Sequence, residues 1–207
     1  STQWNKLSSK QIAGLNAAQV KALTSSQLNN LSTSLLQAIE AADLAAIATN
    51  VINTLTAAQA ALLSTAQMAG LSSGQLGAMT TDQLNNLGTT QIKALTSNQI
   101  KALSSAQLNN LQAAQLAVLD AASIATLSTA AVSGMTSTQL GQLSTAQIAK
   151  LTSNAIAKLS ATQLQGLTTA QLAQALTTAQ MSVITSTQIR SGLSTTQLAA
   201  LSTAVVA

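Results

Sequence analysis

The 207-residue chain contains no proline, cysteine, histidine, phenylalanine or tyrosine, and a single tryptophan, Trp4. Each absence removes a class of answer. Without Cys there is no disulfide framework, and without Cys and His zinc loses its usual ligands. Without His the chain lacks the side chain that titrates near neutrality, so acid–base chemistry would fall to a few carboxylates. Without Phe and Tyr a core of large aromatic anchors is impossible, and only Trp4 could stack on an unpaired base. Charge is scarce as well. Charged residues make up 6% of the chain, with eight bases against four acids and a net charge of +4. That is too thin for the dense basic footprint of a nucleic-acid binder. Ser, Thr, Gln or Asn interrupts every apolar stretch, so no transmembrane span is expected.

What is present is one short pattern, repeated. Leu95-Thr96-Ser97-Asn98-Gln99-Ile100-Lys101-Ala102 reads L-[ST]-x-x-Q-[IL]-x-x, and Leu103 starts the pattern again. The positions of this octad are numbered one to eight from its Leu. Position two suits a helix N-cap, whose hydroxyl accepts from a free N–H of the first turn. Position five is then N3, where Gln reaches back to the N–H of the cap to complete a capping box. Positions one and six fall at N′ and N4, the pair that forms a hydrophobic staple. Each octad therefore specifies a helix of about two turns at most before the next cap ends it.

Two rival architectures fail or weaken on periodicity. In one continuous helix, eight residues overshoot two turns by about 80°, so the Leu stripe would smear around the cylinder. In a straight strand, Leu95 and Ile100 have opposite parity and cannot share a face. A β-solenoid stays open as the alternative, because corners reset parity. The charges supply a check that was not used to set the frame. Glu40 and Asp120 occupy caps, and Asp82 and Asp43 fall in first turns. Lys21, Lys93, Lys101, Lys150, Lys158 and Arg190 lie late in their octads, as the helix dipole favours, with Lys10 the exception.

The eight-residue step runs from Leu7 to Leu167 without a slip. Octads from Leu31 to Leu55 are the most degenerate, with Leu35, Asp43 and Val51 in the Gln position. Nine-residue units follow at Leu167 to Ala175 and at Ile184 to Gly192, where one extra residue between helices predicts a local bulge. Gly14, Gly70, Gly134 and Gly166 lie near octad ends and suit a left-handed C′ position, as do Asn29-Asn30, Asn85-Asn86 and Asn109-Asn110. The sequence starts and stops inside an octad, Ser1 to Lys6 at one end and Leu201 to Ala207 at the other. The expected domain organisation is thus one array, 1–207, read as a segment of a longer one.

One octad buries two large apolar side chains, too few to offset the ordering of eight backbones. The units must therefore stack. The expected fold is an all-α solenoid of very short capped helices, one per octad. Two octads per superhelical turn is the favoured arrangement and three the alternative.

A search for chemistry returns no catalytic, cofactor-binding or metal-binding residue. Glu40 and Asp43 are the only neighbouring carboxylates, and calcium requires six to eight oxygens. The serines are indistinguishable from their repeat-mates, nearly all of which have a cap to make. No enzyme, cofactor or small-molecule substrate is expected. Pairs such as Thr80-Thr81, Thr89-Thr90, Thr168-Thr169, Thr177-Thr178 and Thr195-Thr196 leave an ice-binding face as one alternative function. A nucleic-acid-binding array is another, against the thin charge.

The runs Leu143-Ser-Thr-Ala-Gln-Ile-Ala-Lys-Leu151 and Ile39-Glu-Ala-Ala-Asp-Leu-Ala-Ala-Ile47 resemble the L-T-x-x-Q-I-x-A-L arrays of large bacterial secreted or surface proteins, often described as adhesin-like. The likeness spans the whole chain. It implies an extracellular or cell-surface location and a non-enzymatic role. The departure is charge, since such proteins tend to be acidic and this chain is slightly basic. An uncharged surface of small residues repels nothing, so the expected partner is the chain itself. The leading reading is a structural fibre, stalk or spacer that associates end to end and side by side.

Overall fold

The octad folds as its capping chemistry dictates. In the computed structural model, which describes residues 3–205 and the side chains of residues 3–201, Thr96 caps the helix Ser97–Lys101. Its hydroxyl accepts from the N–H of Gln99 at 3.3 Å, and Oε1 of Gln99 accepts from the N–H of Thr96 at 2.7 Å. The same reciprocal box forms at Ser8, Thr24, Thr56, Ser72, Thr80, Thr136, Ser160 and Thr185, among others. At Gly88 and Gln112 only the glutamine half forms, from Gln91 and Gln115. Asp120 caps alone, accepting from the N–H of Ser123. Glu40 starts its helix without a side-chain cap bond. Asp43 and Asp82 stand in first turns and Lys21, Lys93, Lys101, Lys150 and Arg190 in last turns, the distribution the helix dipole favours.

Between a three-residue turn at Trp4–Lys6 and an eleven-residue helix at Thr195–Val205, helices of four to seven residues follow one another along the chain, and no strand occurs among the described residues. That removes the β-solenoid. Position-one and position-six side chains form the core: Leu76, Leu84, Ile92 and Ile100 are fully buried, and Leu71, Met79, Leu87 and Leu95 nearly so.

Two compact units divide the chain, Ser1–Leu103 and Ser104–Ala207. Within each, a helix packs on the third helix along. In the first unit, Ser9–Ala13 meets Thr33–Ala38, Ala17–Lys21 meets Ala41–Leu44, and Ser73–Gly77 meets Ser97–Lys101. In the second, Ser105–Asn110 meets Thr129–Ser133 and Ser137–Gln142 meets Ala161–Gln165. The coil therefore takes three octads per turn, correcting the favoured expectation of two. The corner explains why. Position one and position two are both extended, as at Leu71 (φ −60°, ψ 140°) and Ser72 (φ −66°, ψ 154°). Such a joint bends the chain through a third of a circle. No described residue has positive φ.

That absence also corrects the reading of the octad-end glycines. Gly14, Gly134 and Gly166 have φ of −86°, −88° and −70° and are not left-handed caps. Several glycines instead let neighbouring coils touch. A Cβ on Gly77 would lie 2.9 Å from the carbonyl oxygen of Ala102, and one on Gly141 would lie 2.6 Å from that of Gly166. A Cβ on Gly166 would fall 2.5 Å from the Ser137 carbonyl oxygen and 2.6 Å from the Ser137 Cβ. Position eight thus rests on position three of the coil before, as Gly70 also rests on Ala41. Position three is Ser, Thr or Ala in octad after octad for that reason.

The paired asparagines divide the work. Nδ2 of Asn30, Asn86 and Asn110 donates to the carbonyls of Ser26, Asp82 and Ala106 in its own helix, whereas Asn29 donates across to Thr54 at 3.0 Å. Gly166→Ala is expected to lower stability by about 1–3 kcal/mol through overpacking against backbone. Gly74→Ala has open space at 4.0 Å and lies inside a helix, so it is expected to raise stability by about 0.5–1 kcal/mol. Denaturation midpoints of the two variants should move in opposite directions.

The nine-residue units place their extra residue inside the helix, not between helices. In the first, Gln171–Ala175 becomes a π turn. In the second, the helix Ser186–Gly192 lengthens to seven residues. The expected restart at Leu201-Ser202 is absent: helix Thr195–Val205 runs through it. Val205 stands there in the Gln position. Ser1, Thr2, Val206 and Ala207, parts of the two incomplete octads, lie outside the described residues.

Candidate functional site: the glutamine ladder

The most elaborate polar arrangement in the molecule is built from position five. Once Oε1 of Gln99 has accepted from the cap, Nε2 remains to be satisfied. It donates to the carbonyls of Met68 at 2.8 Å and Leu71 at 2.7 Å. These carbonyls belong to the end of one helix and the corner after it, one coil back. Helix ends leave such carbonyls without intrahelical partners, and burial makes an unmade bond costly. Gln67 does the same with Leu36 and Ile39, Gln75 with Leu44 and Ile47, and Gln91 with Ala60 and Leu63. In the second unit Gln147 reaches Leu116 and Leu119, and Gln171 reaches Leu140 and Leu143. The amides of Gln67, Gln75, Gln99 and Gln147 are all 2% exposed or less, so each is a fully satisfied buried group. One side chain starts its own helix and seals the end of another.

The capping half of this role is legible in the sequence; the second half escaped it. A signal was available. A helix N-terminus favours a negative charge at N3, so Glu should serve the box as well as Gln. Yet apart from Asp43 no carboxylate occupies position five, and the single Glu of the chain, Glu40, lies elsewhere. Only an amide has a hydrogen left to donate. The ladder has gaps where the residue changes: Leu35 and Ala155 sit buried in the Gln position and carry no amide.

The sequence singled out Glu40 and Asp43 as the neighbouring carboxylates. Glu40 is exposed and Asp43 half-buried, and among the described residues no three His, Cys, Asp or Glu side chains gather as metal ligands would. A shallow groove of about 560 Å³ opens beside Gly88, lined by Gln37, Leu62, Ser64, Thr65, Thr90 and Gln91 among others. No titratable side chain lines it. No helix among the described residues is long and apolar enough to cross a membrane. Threonines outside the pairs, not the pairs themselves, form one exposed column within the second unit. Thr138, Thr162 and Thr187 are exposed on helices that stack in successive coils.

Short capped helices, three to a turn and joined through buried amides, define an all-α repeat solenoid. The ALTTAQ repeat family matches residues 5–33, 36–73 and 69–105. The chain is a tandem array of repeats similar to that one, and it spells the motif at Ala175-Leu176-Thr177-Thr178-Ala179-Gln180. No curated protein compared with the chain matches it.

Proposed function

We propose that the chain is a non-enzymatic scaffold, an extracellular or cell-surface fibre, stalk or spacer that associates with copies of itself end to end and side by side. The observation that carries this reading is the ladder. The recurring polar side chain of the octad is turned inward, its Oε1 capping its own helix and its Nε2 holding coil to coil, and little functional chemistry remains on the surface. The residues left outside are mostly Ala, Ser, Thr and Asn with a few scattered charges, a coat that offers little repulsion between copies. The resemblance to secreted adhesin-like arrays supports the location. At concentrations of hundreds of micromolar, electron microscopy is expected to show filaments or bundles, and light scattering should rise with concentration. A strictly monomeric protein under those conditions would overturn self-association.

A second reading is favoured by one observation, the column of exposed threonines at Thr138, Thr162 and Thr187. An ordered Thr face could bind ice. Thermal hysteresis measured on the same sample separates the two readings, since a scaffold shows none.

A further inference from the structure

The ladder is continuous over Gln59, Gln67, Gln75, Gln83, Gln91 and Gln99, each of which donates to a carbonyl one coil back. It is missing from the whole coil before them. Residues 31–54 form three octads with Leu35, Asp43 and Val51 at position five, and none of the three has an amide to donate. The position-one carbonyls that such amides would meet belong to Leu7, Leu15 and Leu23, and these receive no donor among the described residues. The caps fail in the same coil. Ser32, Glu40 and Ala48 start the helices Thr33–Ala38, Ala41–Leu44 and Thr49–Ile52 with no side-chain cap bond. Other interruptions are shorter and keep their caps. Ser123 and Ala131 interrupt two adjacent octads and Ala155 one, while Asp120, Ser128 and Thr152 still accept from the N–H at N3.

Residues 31–54 are therefore held unequally on their two sides. Towards the following coil, Gln67 and Gln75 bond the carbonyls of Leu36, Ile39, Leu44 and Ile47. Towards residues 7–30 the joint is mainly apolar. Ile12, Val20 and Leu28 lie buried on one side of it and Leu36, Leu44 and Ile52 on the other, in helices that pack in pairs. Asn29 and Thr54 make a polar contact across it, the amide donating to the Thr54 carbonyl at 3.0 Å.

We propose that the joint between residues 7–30 and 31–54 is a seam built into the fold, at which the first unit parts while its laddered coils, 55–103, stay closed. Stability in a solenoid is set joint by joint, and the joint with the fewest bonds opens at the lowest free energy. Octads placed before Leu7 supply no amide to the seam, because donors to Leu7, Leu15 and Leu23 come from the coil that follows them. In a scaffold the seam is the point that yields first, and it spares the coils bonded through glutamine.

Native-state amide exchange of the 207-residue protein in low urea tests this. The helices Ala17–Lys21 and Ser25–Asn29 are expected to exchange together, about tenfold or more faster than Ser73–Gly77 and Thr81–Asn85. The double variant Asp43→Gln, Val51→Gln returns two amides to the seam. Their Nε2 groups reach Leu15 and Leu23, and their Oε1 atoms take the N–H groups of Glu40 and Ala48, as Gln115 takes that of Gln112. Exchange in Ala17–Lys21 and Ser25–Asn29 should slow by about tenfold or more. The converse double variant, Gln67→Leu, Gln75→Leu, copies the residue at Leu35 and moves a seam one coil along, so Thr33–Ala38 and Ala41–Leu44 should exchange about tenfold or more faster. Protection before the seam equal to that in the laddered helices of the parent would overturn the proposal. So would unchanged exchange in the glutamine variant, which would identify simple fraying. Should that variant not fold, the leucine variant decides, and unchanged exchange in Thr33–Ala38 and Ala41–Leu44 overturns the proposal.

Discussion

Ile100→Asp is expected to unfold several octads together, not one. Ile100 is fully exposed to its neighbours and to no water: it has 0% relative exposure, as have Ile52 and Leu76, which stand in the same column on helices that pack in succession. A carboxylate there has no cation within the column and no hydrogen-bond donor to spare, since the nearby amide of Gln99 is already engaged three ways. An unpaired buried charge costs about 3–5 kcal/mol. The cost is not confined to one helix, because a helix of five residues does not stand without the coils on which it lies. Amide exchange should therefore accelerate across Ser73–Gly77, Ser97–Lys101 and the two helices between them in sequence, Thr81–Asn85 and Thr89–Lys93. Loss of protection in Ser97–Lys101 alone would show that octads are stable singly and would refute the stacking account.

Gln99→Glu should destabilise the fold in a pH-dependent way, with a sign that follows from the ladder. The carboxylate keeps the bond to the N–H of Thr96. It faces the carbonyls of Met68 and Leu71 with no hydrogen between, at distances where the amide now donates, 2.8 and 2.7 Å. Burial and carbonyl dipoles both disfavour the charged form, so the carboxyl of the variant titrates above its unfolded value. A raised folded-state pKa means that protonation stabilises the fold. The stability is fully present below the unfolded pKa and is lost as pH rises through the folded one. Relative to the parent protein, the variant is expected to lose about 2–4 kcal/mol near pH 8 and to recover part of it near pH 4, where a protonated carboxyl donates one of the two lost bonds. Urea titrations at the two pH values read this directly. No destabilisation at either would mean that the second role of Gln99 is dispensable. The same substitution at Gln19, which caps without joining coils, should leave stability nearly unchanged at either pH.

Much of the fold is written in the octad itself. Thr96, Gln99, Leu95 and Ile100 announce a capped and stapled helix start because those contacts are local, within five residues of one another. The all-α class, the helix length and the two buried positions follow from them. The number of octads per turn does not, because it is set at the corner, where Leu71 and Ser72 are both extended. Nothing in their identities distinguishes a third of a turn from half of one. The contact between Gln99 and Leu71 spans 28 residues and had no local signature except the absence of Glu. The glycines misled for a related reason. Gly at a helix end is ordinarily a conformational device, and here Gly141 and Gly166 serve close approach between coils instead.

The ladder tolerates changes of spacing. Gln171 meets a carbonyl 28 residues back, Gln180 and Gln188 one 29 back, and Gln197 one 30 back, as the two nine-residue units accumulate. Because all three sides of the coil use the same amide and the same carbonyls, inserting or deleting one whole octad moves every later octad to the next side and leaves it with equivalent neighbours. Unequal recombination between similar repeats would therefore lengthen or shorten such a gene eight codons at a time while keeping the same coil-to-coil bonds available.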